Sequence, residues 1–569
     1  MCGASKIKQT TMPKYKVEEA NTMKGYMIAI ISLSLLIPAG PFFDGHIAKA
    51  ATTIHLRPTG EFHTDRDTVQ DAIDNGFDEI VLLSKTEGGL RVDWNFGGAP
   101  TATPMGDKVA LPFASPAIDP RTFGANADDI SGISQNLIIR GETIPGKDKD
   151  GDPDYVVLDG AALWYAWTSG GFPFSFPHPN GGNYNLTVRN LHFKNSPGAA
   201  IGLGSNGDVL IEDCKISTPR QVNFFSNSWL RPIISYGSFQ NFGIPDFENW
   251  MEVFPKGNLV IRNCIIDATM EYSWNDLIHE PGNINSIGDQ YEVGIHMNNV
   301  MNSSVLIENN IVMNANAVGI SISNPIIPEN DPRATRSVIV KKNKFYTKDY
   351  GPSEVFYWFV GFCNDPDNPN TGTGFTPATS GIEINLRQFP KAPAMPVIVE
   401  HNHIVTKGFQ DTGVQVMGPI NGLEIRKNTI DSGPSKFTGM DGYNSKASIM
   451  ITSTLCSFHP LVGPITDPDG YGAQNILIEK NKLRGTANGG VAVRGWEYWI
   501  WPLDDAWMPF TDIRIIKNDH KFIDHSFATY FLAEPTHDCY LRAKPPKQNL
   551  EILDFGENNI IKIPGNSNP

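Results

Sequence analysis

Three side chains near the middle of the sequence have the types needed to remove a proton from carbon. His296 lies in the segment VGIHM, Glu383 lies in GIEIN, and Arg387 follows Glu383 by four residues. A positioned base can take the proton α to a sugar carboxylate, and a cation or an Arg can neutralise that carboxylate as charge develops. This is the chemistry of a uronate lyase or epimerase, with His296 or Arg387 as the base and Glu383 holding or orienting a cation. The alternative is that these side chains only form part of a solvated polar surface.

Hydrolysis of a glycosidic bond would need a second acid. Two carboxyl groups must flank the bond at roughly 5 to 9.5 Å, and Glu383 is the one acid that falls on a predicted strand of this region. Its partner would come from a connecting segment, and the candidates there are Glu280, Asp289, Glu292 and Asp441. The single acid on a strand favours lyase or epimerase chemistry over hydrolysis.

Further polar side chains are predicted to bind substrate beside these residues. In segments that alternate apolar and polar residues, the polar members face away from the apolar ones. Those members are Asn298, Ser321, Asn385, Gln415 and Arg494. Aromatic segments add flat surfaces on which sugar rings could stack, and the candidates are Trp358, Trp496 and Trp499. The alternative for these rings is that they pack connecting segments onto the protein core.

A separate acidic segment, DKDGDPD, could hold a metal ion. Asp148, Asp150, Asp152 and Asp154 alternate around Gly151, and carboxylate oxygens are the ligands that Ca²⁺ prefers. The segment lacks the closing bidentate Glu of an EF-hand loop, and many acidic turns are simply solvated. We predict Ca²⁺ here as a structural ion, and no other cofactor.

The elements that would position these residues come from a repeat. The pattern apolar-x-apolar-x-x-(Asn, Cys or Leu)-x-apolar begins at residues 186, 209, 259, 305, 338, 397, 423 and 476. Alternation with a period of two predicts a short strand, and the change of parity after it predicts a second strand that leaves at an angle. A third strand follows in most copies, at 293, 318, 381, 413, 448 and 490. Three strands per repeat predict one coil of a three-sided solenoid.

The corner between the first two strands is predicted to form a ladder of stacked amides. Asn tolerates left-handed backbone, and its side chain both donates and accepts hydrogen bonds. The ladder residues are Asn310, Asn343, Asn402, Asn428 and Asn481. Cys214 and Cys264 occupy the same position in two successive copies, where we expect buried thiols rather than a disulfide.

The connecting segments are long only before and after the third strand. They are 267–292, 324–337, 346–380, 431–447, 452–475 and 494–512. We therefore predict that they wall a groove over the sheet of third strands. Near the start of the solenoid, DTVQDAIDNGFDEIVLL predicts a capping helix that ends at Gly76, followed by a strand from Glu79 to Leu83.

With the cap helix, the early strands IIRGE and VVLDG and the Asn ladder, the chain resembles the right-handed parallel β-helix proteins of the pectate-lyase-like superfamily, which carry PbH1-type repeats. The resemblance covers roughly Asp67 to Ile523. It implies an all-β, single-stranded right-handed parallel β-helix with an N-terminal capping helix and long loops around one sheet. It also implies a saccharide cleft on the third-strand sheet. The catalytic motifs of polygalacturonases and pectate lyases are absent, so the resemblance transfers no catalytic residue.

The first 50 residues differ from the rest. Lys24 precedes an apolar run from Met27 to Ala39, and Ala48-Lys49-Ala50 follows, an order typical of a cleaved secretory signal. The alternative is an uncleaved N-terminal anchor. We divide the chain into a leader (1–50), an N-terminal cap with the first strands (51–130), the β-helix (131–555) and a C-terminal tail (556–569), and we expect the protein outside the cytoplasm, either secreted, periplasmic or at the cell surface.

Charge limits the classes of partner. The chain has 46 Lys and Arg against 61 Asp and Glu, a formal net charge of −15. No Lys/Arg-rich stripe is visible along the sequence, so nucleic acid is not expected to bind. The sequence thus predicts a monomeric polysaccharide-binding solenoid with lyase or epimerase activity. The alternatives are a non-catalytic adhesin or surface solenoid and a glycoside hydrolase on the same fold. A phage-type tailspike is disfavoured, because the tail after Leu550 is short.

Overall fold

The computed structural model describes residues 52–97, 117–127, 133–166, 184–196, 200–204, 207–217, 232–236, 257–269, 293–297, 304–315, 318–323, 336–346, 380–385, 396–406, 412–417, 420–432, 447–453, 458–459, 463–464, 473–485, 489–495, 510–521, 528–532, 536–543 and 552–563. The chain divides into two units, Met1–Ala50 and Ala51–Pro569. The first unit, which contains the predicted leader, lies outside the described residues. Within those ranges, no helix is both long enough and apolar enough to cross a membrane.

Three long sheets form the described part of the chain, and nearly every coil gives one strand to each. The first-strand sheet contains Thr53–Leu56, Glu79–Leu82, Asn136–Gly141, Asn185–Arg189, Val209–Glu212, Leu259–Arg262, Val305–Glu308, Val338–Lys341, Val397–Glu400, Asn421–Arg426, Gln474–Glu479, Phe510–Ile516, Thr536–His537, Tyr540–Arg542 and Ile560–Lys562. The second-strand sheet contains Trp94–Asn95, Val156–Asp159, Leu191–Lys194, Lys215–Ser217, Ile265–Asp267, Ile311–Met313, Lys344–Tyr346, His403–Thr406, Thr429–Ser432, Lys482–Arg484 and Asp519–Lys521.

The third-strand sheet contains Ala117–Ile118, Ala162–Ala166, Ile201–Gly204, Pro232–Tyr236, Val293–Met297, Val318–Ser323, Ser380–Asn385, Thr412–Met417, Ile449–Ser453, Gly489–Gly495, Ala528–Leu532 and Ile552–Asp554. Two small antiparallel pairs lie outside the three sheets, Lys85–Glu87 with Leu90–Val92 and Phe458–His459 with Gly463–Pro464. A short 3₁₀ helix covers Pro120–Thr122.

Each strand pairs in parallel with the equivalent strand of the next coil. Val305 lies opposite Val338, and Val338 lies opposite Val397. Apolar residues of all three sheets then point inward and form one continuous core, because alternate residues of a strand face opposite sides. The predicted all-β, single-stranded parallel β-helix is confirmed.

The predicted amide ladder is present at the first corner. Asn310 Nδ2 donates to the backbone oxygen of Ile261 at 2.9 Å and to Asn343 Oδ1 at 3.0 Å. The same hydrogen bonds recur in the following coils at Asn343, Asn402, Asn428 and Asn481. The ladder also extends to Asn518, which the repeat pattern did not include. Every one of these side chains is buried, so the ladder satisfies amides that could not bond to water.

Free thiols take the ladder position at Cys214 and Cys264, as predicted, and also at Cys539. Cys214 and Cys264 are buried and unbridged, and Cys264 N–H donates to Asn310 Oδ1 at 2.9 Å. Burial raises the pKa of the Cys214 thiol well above its usual range, which keeps it protonated and unreactive at neutral pH.

One helix, Phe62–Asp74, caps the N-terminal end of the core. It begins earlier than predicted, because Asp65 in its first turn accepts hydrogen bonds from the backbone N–H groups of Thr59 at 2.6 Å and Gly60 at 3.1 Å. Val69, Ala72 and Ile73 are buried in the core, as predicted.

A column of glycines allows the third strands to pack closely against side chains of the second-strand sheet. A Cβ built on Gly381 would lie 2.3 Å from Ile404 Cγ2 and 2.8 Å from the backbone oxygen of Gly413. Equivalent contacts of less than 3 Å occur at Gly294, Gly319 and Gly413. Glycine is needed here because the backbones approach too closely for any side chain.

Candidate functional site

Four of the predicted site residues lie side by side on the third-strand sheet. The backbone register places His296 opposite Ser321, Ser321 opposite Glu383, and Glu383 opposite Gln415. Neighbouring strands of a sheet are about 4.8 Å apart, so His296 and Glu383 are separated by roughly 10 Å with Ser321 between them. We call these four residues the third-strand row.

The third-strand row faces away from the core. Its residues alternate with inward residues such as Ile382 and Ile384, which belong to the core. Beyond Gln415, the same positions on the next two strands are Met450 and Ala492. These two residues form a small cluster apart from the main core, and Phe531 packs against it. The orientation that the alternation predicts is therefore observed.

The row is buried, whereas the alternation alone predicts solvent-exposed side chains. The exposed fraction is 4% for His296, 0% for Ser321, 9% for Glu383 and 4% for Gln415. Outward orientation on a sheet therefore does not leave these groups in bulk water. A desolvated His and Glu in one row are candidates for acid and base chemistry, although buried polar groups also occur in purely structural networks.

The hydroxyl of Ser321 lies at the centre of this row. Its Oγ is buried and has no hydrogen-bond partner within the described part of the chain. Buried hydroxyls are usually hydrogen-bonded. The hydroxyl at the centre of the row is thus available to a ligand that reaches it.

The remaining predicted site residues fall into two groups. In the backbone register, Asn385 lies opposite Met417, Met417 lies opposite Thr452, and Thr452 lies opposite Arg494. Asn385 and Arg494 therefore occupy equivalent positions on strands that are three coils apart. Outside the described residues lie Arg387, Asn298, Trp358, Trp496 and Trp499, and so do the four acids considered as hydrolase partners.

The acidic loop near the start of the solenoid already surrounds a cation of the protein itself. Oxygens of Asp148, Asp150 and Asp152 lie within 4.8 Å of one another, which is close enough to hold one metal ion. Lys215 Nζ reaches all three, at 2.7, 3.0 and 2.7 Å. Its side chain is only 5% exposed, so a buried ammonium occupies the position that a metal ion would take.

The charges of this cluster depend on one another. Burial disfavours the Lys215 ammonium, but the hydrogen bonds that it donates to the three carboxylates outweigh burial and raise the pKa of Lys215. Burial likewise opposes ionisation of Asp148, but bonds from Lys215 and from the backbone N–H groups of Asp152 and Asp150 lower its pKa. The predicted ligand Asp154 is not part of this cluster, because its Oδ1 pairs with Arg91 Nη1 at 2.6 Å.

A histidine that the sequence did not single out lies beside Lys215 on the second-strand sheet. His192 is opposite Lys215 in the register, and its Nε2 lies 2.7 Å from Ser217 Oγ. Burial lowers the pKa of His192 to about 3, and the charge of Lys215 adds to this effect. Its position just after the ladder residue of its repeat is a signal that could have identified it.

A family model that matches part of the chain agrees with the fold. Residues 180–351 match the family model described as right handed beta helix region. No curated protein matches the chain in sequence. Among solved structures, the A-module of mannuronan C-5 epimerase AlgE6 from Azotobacter vinelandii is similar at a TM-score of 0.43 and 10% identity, covering 87% of this chain and 93% of that chain. PfbA, a surface adhesin of Streptococcus pneumoniae, is similar at a TM-score of 0.33 and 12% identity, covering 84% of this chain and 88% of that chain.

Proposed function

We propose that this right-handed parallel β-helix protein binds an extracellular polysaccharide at its third-strand sheet and acts on it as a uronate lyase or epimerase. The observation that carries the proposal is the third-strand row, in which His296, Ser321 and Glu383 occupy three successive coils on the outer face of one sheet. Consecutive coils present these groups in a line, which is the arrangement that a linear polymer requires.

The row contains the groups that proton transfer needs. His296 would take the proton α to the uronate carboxyl, and Glu383 would hold the cation that neutralises the carboxylate. Ser321 Oγ, buried without a partner in the described part of the chain, would bond a sugar hydroxyl. Arg387, two residues beyond the end of the strand that carries Glu383, remains the second candidate for the base.

Burial of the row favours a second function, binding without chemistry. Groups that are 0 to 9% exposed require a route by which the polymer reaches them. If such a route does not open, the outer surface would act as a non-catalytic adhesin or surface solenoid. A hydrolase is less favoured, because Glu383 is the one carboxyl group in the row and its partner would have to come from a connecting segment.

The proposal includes only weak binding of a structural Ca²⁺ to the acidic loop. Ca²⁺ would have to displace Lys215 Nζ from Asp148, Asp150 and Asp152. We therefore expect weak binding of Ca²⁺ to the native loop, and no role for this ion at the third-strand row.

The deciding experiment follows three products in one incubation of the chain with polyuronates and with neutral polysaccharides. Ultraviolet absorbance reports the unsaturated sugar of a lyase, reducing ends report any chain cleavage, and uptake of solvent deuterium at the sugar carbon reports an epimerase. Lyase or epimerase signal should fall at least 100-fold in His296→Gln and Glu383→Gln, the usual range for losing a general acid or base.

The matched control is Met450→Leu, a volume-conserving change on the same outer face. It should keep the activity. Reducing ends without absorbance would indicate a hydrolase instead. Retention on one glycan with none of the three signals would establish the non-catalytic function, and absence of both retention and products would refute the proposal.

A further inference from the structure

The corner of the Asn ladder carries a row of positive charge that the sequence does not display. The residue just before each ladder Asn is in the left-handed region, with φ between 55° and 57° at Lys342, His401, Lys427, Lys480 and Lys517. The backbone N–H of each donates to the backbone oxygen of the residue just before the equivalent position in the next coil, so the five residues stack. We call these five residues the basic ridge.

The basic ridge is exposed to solvent along its length. The side chains of Lys342, Lys480 and Lys517 are 60%, 46% and 51% exposed, and His401 and Lys427 are also exposed. Four further exposed cations lie beside the ridge on the second-strand sheet, namely Lys344, Lys482, Arg484 and Lys521. The ridge lies between the first-strand and second-strand sheets, so it is separate from the third-strand row.

Positive charge is concentrated in these coils. The coils 336–346, 396–406, 420–432, 473–485 and 510–521 contain twelve Lys and Arg against six Asp and Glu. The four coils before them, 184–196, 207–217, 257–269 and 304–315, contain four Lys and Arg against five Asp and Glu. The whole chain has a net charge of −15. The sequence shows no Lys/Arg-rich run at this ridge, because each coil contributes one residue and only the stacking of coils brings these residues together.

The choice of residue at this corner is not explained by the fold. Left-handed backbone disfavours most side chains and is tolerated best by Gly, Asn and Asp. The four preceding corners use Asn190, Asp213, Asn263 and Asn309 with φ between 52° and 57°. Lys in the same conformation is less favourable, and like charges on neighbouring strands repel. Repeated use of cations where Asn would be more stable points to a ligand for the charge.

Part of the ridge charge is compensated within the protein, and part is not. Glu308 lies 3.1 Å from Lys342, and Glu479 lies 2.8 Å from Lys480 and 3.9 Å from Lys517. Among the described residues, no ion pair is recorded for Lys427, nor for the flanking cations Lys344, Lys482, Arg484 and Lys521. The uncompensated charges are therefore available to an external anion.

We propose that the basic ridge is a second polysaccharide-binding surface that holds a linear acidic polysaccharide, with one carboxylate per sugar, along the axis of the solenoid. The ridge offers a lysine in four of its five coils and His401 in the fifth, and successive coils are about 4.8 Å apart, a spacing that suits a polymer with one charge per sugar ring. Duplex DNA carries a charge about every 1.7 Å, and the net charge of the chain would repel it. The surface would hold a polymer without chemistry, and it does not depend on the third-strand row.

The test removes the ridge charge without harming the corner. In the full chain, Lys427→Asn, Lys480→Asn and Lys517→Asn are combined, because Asn is the residue that the earlier corners use. The matched control combines Lys147→Asn, Lys149→Asn and Lys562→Asn, three exposed lysines outside the ridge, and it changes the net charge equally. The dissociation constant of a labelled polyuronate oligomer is measured over a range of NaCl concentrations, beside a neutral oligomer and duplex DNA.

The ridge variant should bind the polyuronate roughly tenfold more weakly, with a smaller salt dependence, while the control stays near the native protein. Its thermal midpoint should be unchanged or higher. Equal loss in both variants, or loss in neither, would overturn the proposal. If the native protein prefers DNA and the ridge variant loses that preference, the ligand of the ridge is nucleic acid rather than polysaccharide.

His296→Gln and Glu383→Gln separate the two surfaces. If they leave the ridge-dependent binding intact while product formation is lost, both proposals stand. If the ridge variant binds normally and the row variants do not, the ridge proposal fails and the proposed function stands.

Discussion

Lys215 shows how a single residue decides whether an acidic loop is a metal site. Its ammonium lies within 3.0 Å of three carboxylates, and it comes from a strand more than 60 residues beyond them in the sequence. An internal cation is always present at high local concentration, whereas Ca²⁺ must compete from solution. The loop Asp148 to Asp152 is therefore joined to the second-strand sheet through Lys215.

Replacing Lys215 by Met should convert this cluster into a Ca²⁺ site. Removing one partner of a buried ionic cluster leaves the others uncompensated, so we expect Lys215→Met to lose roughly 3 kcal/mol of unfolding free energy in chelator. Ca²⁺ should restore stability in proportion to the logarithm of its concentration. Thermal unfolding with CaCl₂ or chelator measures this, and Lys149→Met, an exposed change in the same loop, is the control. The idea is refuted if the native protein is stabilised by Ca²⁺ as much as the variant.

His192 should make the protein sensitive to acid. The folded state keeps His192 neutral until its pKa of about 3, while the unfolded chain protonates it near pH 6.5. Below about pH 6.5 the unfolded state therefore binds one more proton, and stability should fall by about 1.4 kcal/mol per pH unit until about pH 3. In His192→Gln that contribution to the slope should disappear. Urea unfolding between pH 7 and pH 4 measures the slope, and the exposed His401→Gln should keep it; an unchanged slope in His192→Gln would refute the assignment.

The Asn ladder is the element that holds the first corner of each coil. Asn402 accepts from the backbone N–H of Asn343 at 2.9 Å and donates to the backbone oxygen of Val340 at 2.9 Å and to Asn428 Oδ1 at 3.0 Å. Each ladder residue thus joins three coils. Ladder and glycine column together fix the coil on both sides of the second strand, which keeps the third-strand row in register.

Asn402→Ala should be strongly destabilising. It leaves the Asn343 donors and the Val340 oxygen buried without partners, at a cost of about 3 kcal/mol. Asn402→Cys is the matched variant, because Cys214 and Cys264 fill the same position in two coils, and we expect about half that loss. Equilibrium unfolding in urea compares the two variants. Equal losses would mean that the volume of the side chain, rather than its hydrogen bonds, stabilises the corner.

At the scale of the whole molecule, the solenoid has one continuous core. Its candidate binding surfaces lie on different sides of the coil. The third-strand row lies on one sheet, the basic ridge lies at the opposite corner of the coil, and the acidic cluster lies near the N-terminal end. In such a repeat each coil contacts only its neighbours. The end coils therefore need a cover, which the helix Phe62–Asp74 supplies at the N-terminal end.

Detaching the cap helix should cause the protein molecules to associate with one another, rather than only changing the structure near the helix. Ile73 is fully buried in the core beneath the helix, and Ile73→Asp would bury an unpaired charge or detach the helix. The exposed parallel strands would then offer unpaired edges to other molecules. We expect oligomers by light scattering at temperatures where the native protein is monodisperse. Asp71→Asn, an exposed change on the same helix, is the control and should scatter like the native protein; monodisperse Ile73→Asp would contradict the capping role.

The sequence by itself determined the fold, because strand alternation recurs from coil to coil, and the ladder Asn and the cap helix are likewise local patterns. It also placed His296, Ser321, Glu383 and Gln415 in one row, since equivalent repeat positions stack. Only the tertiary structure decided what surrounds these groups. Burial of the row, the Lys215 ammonium among the carboxylates and the basic ridge all depend on contacts between coils, and the intervals between coils vary in length. Spacing in the sequence therefore does not reveal which side chains meet.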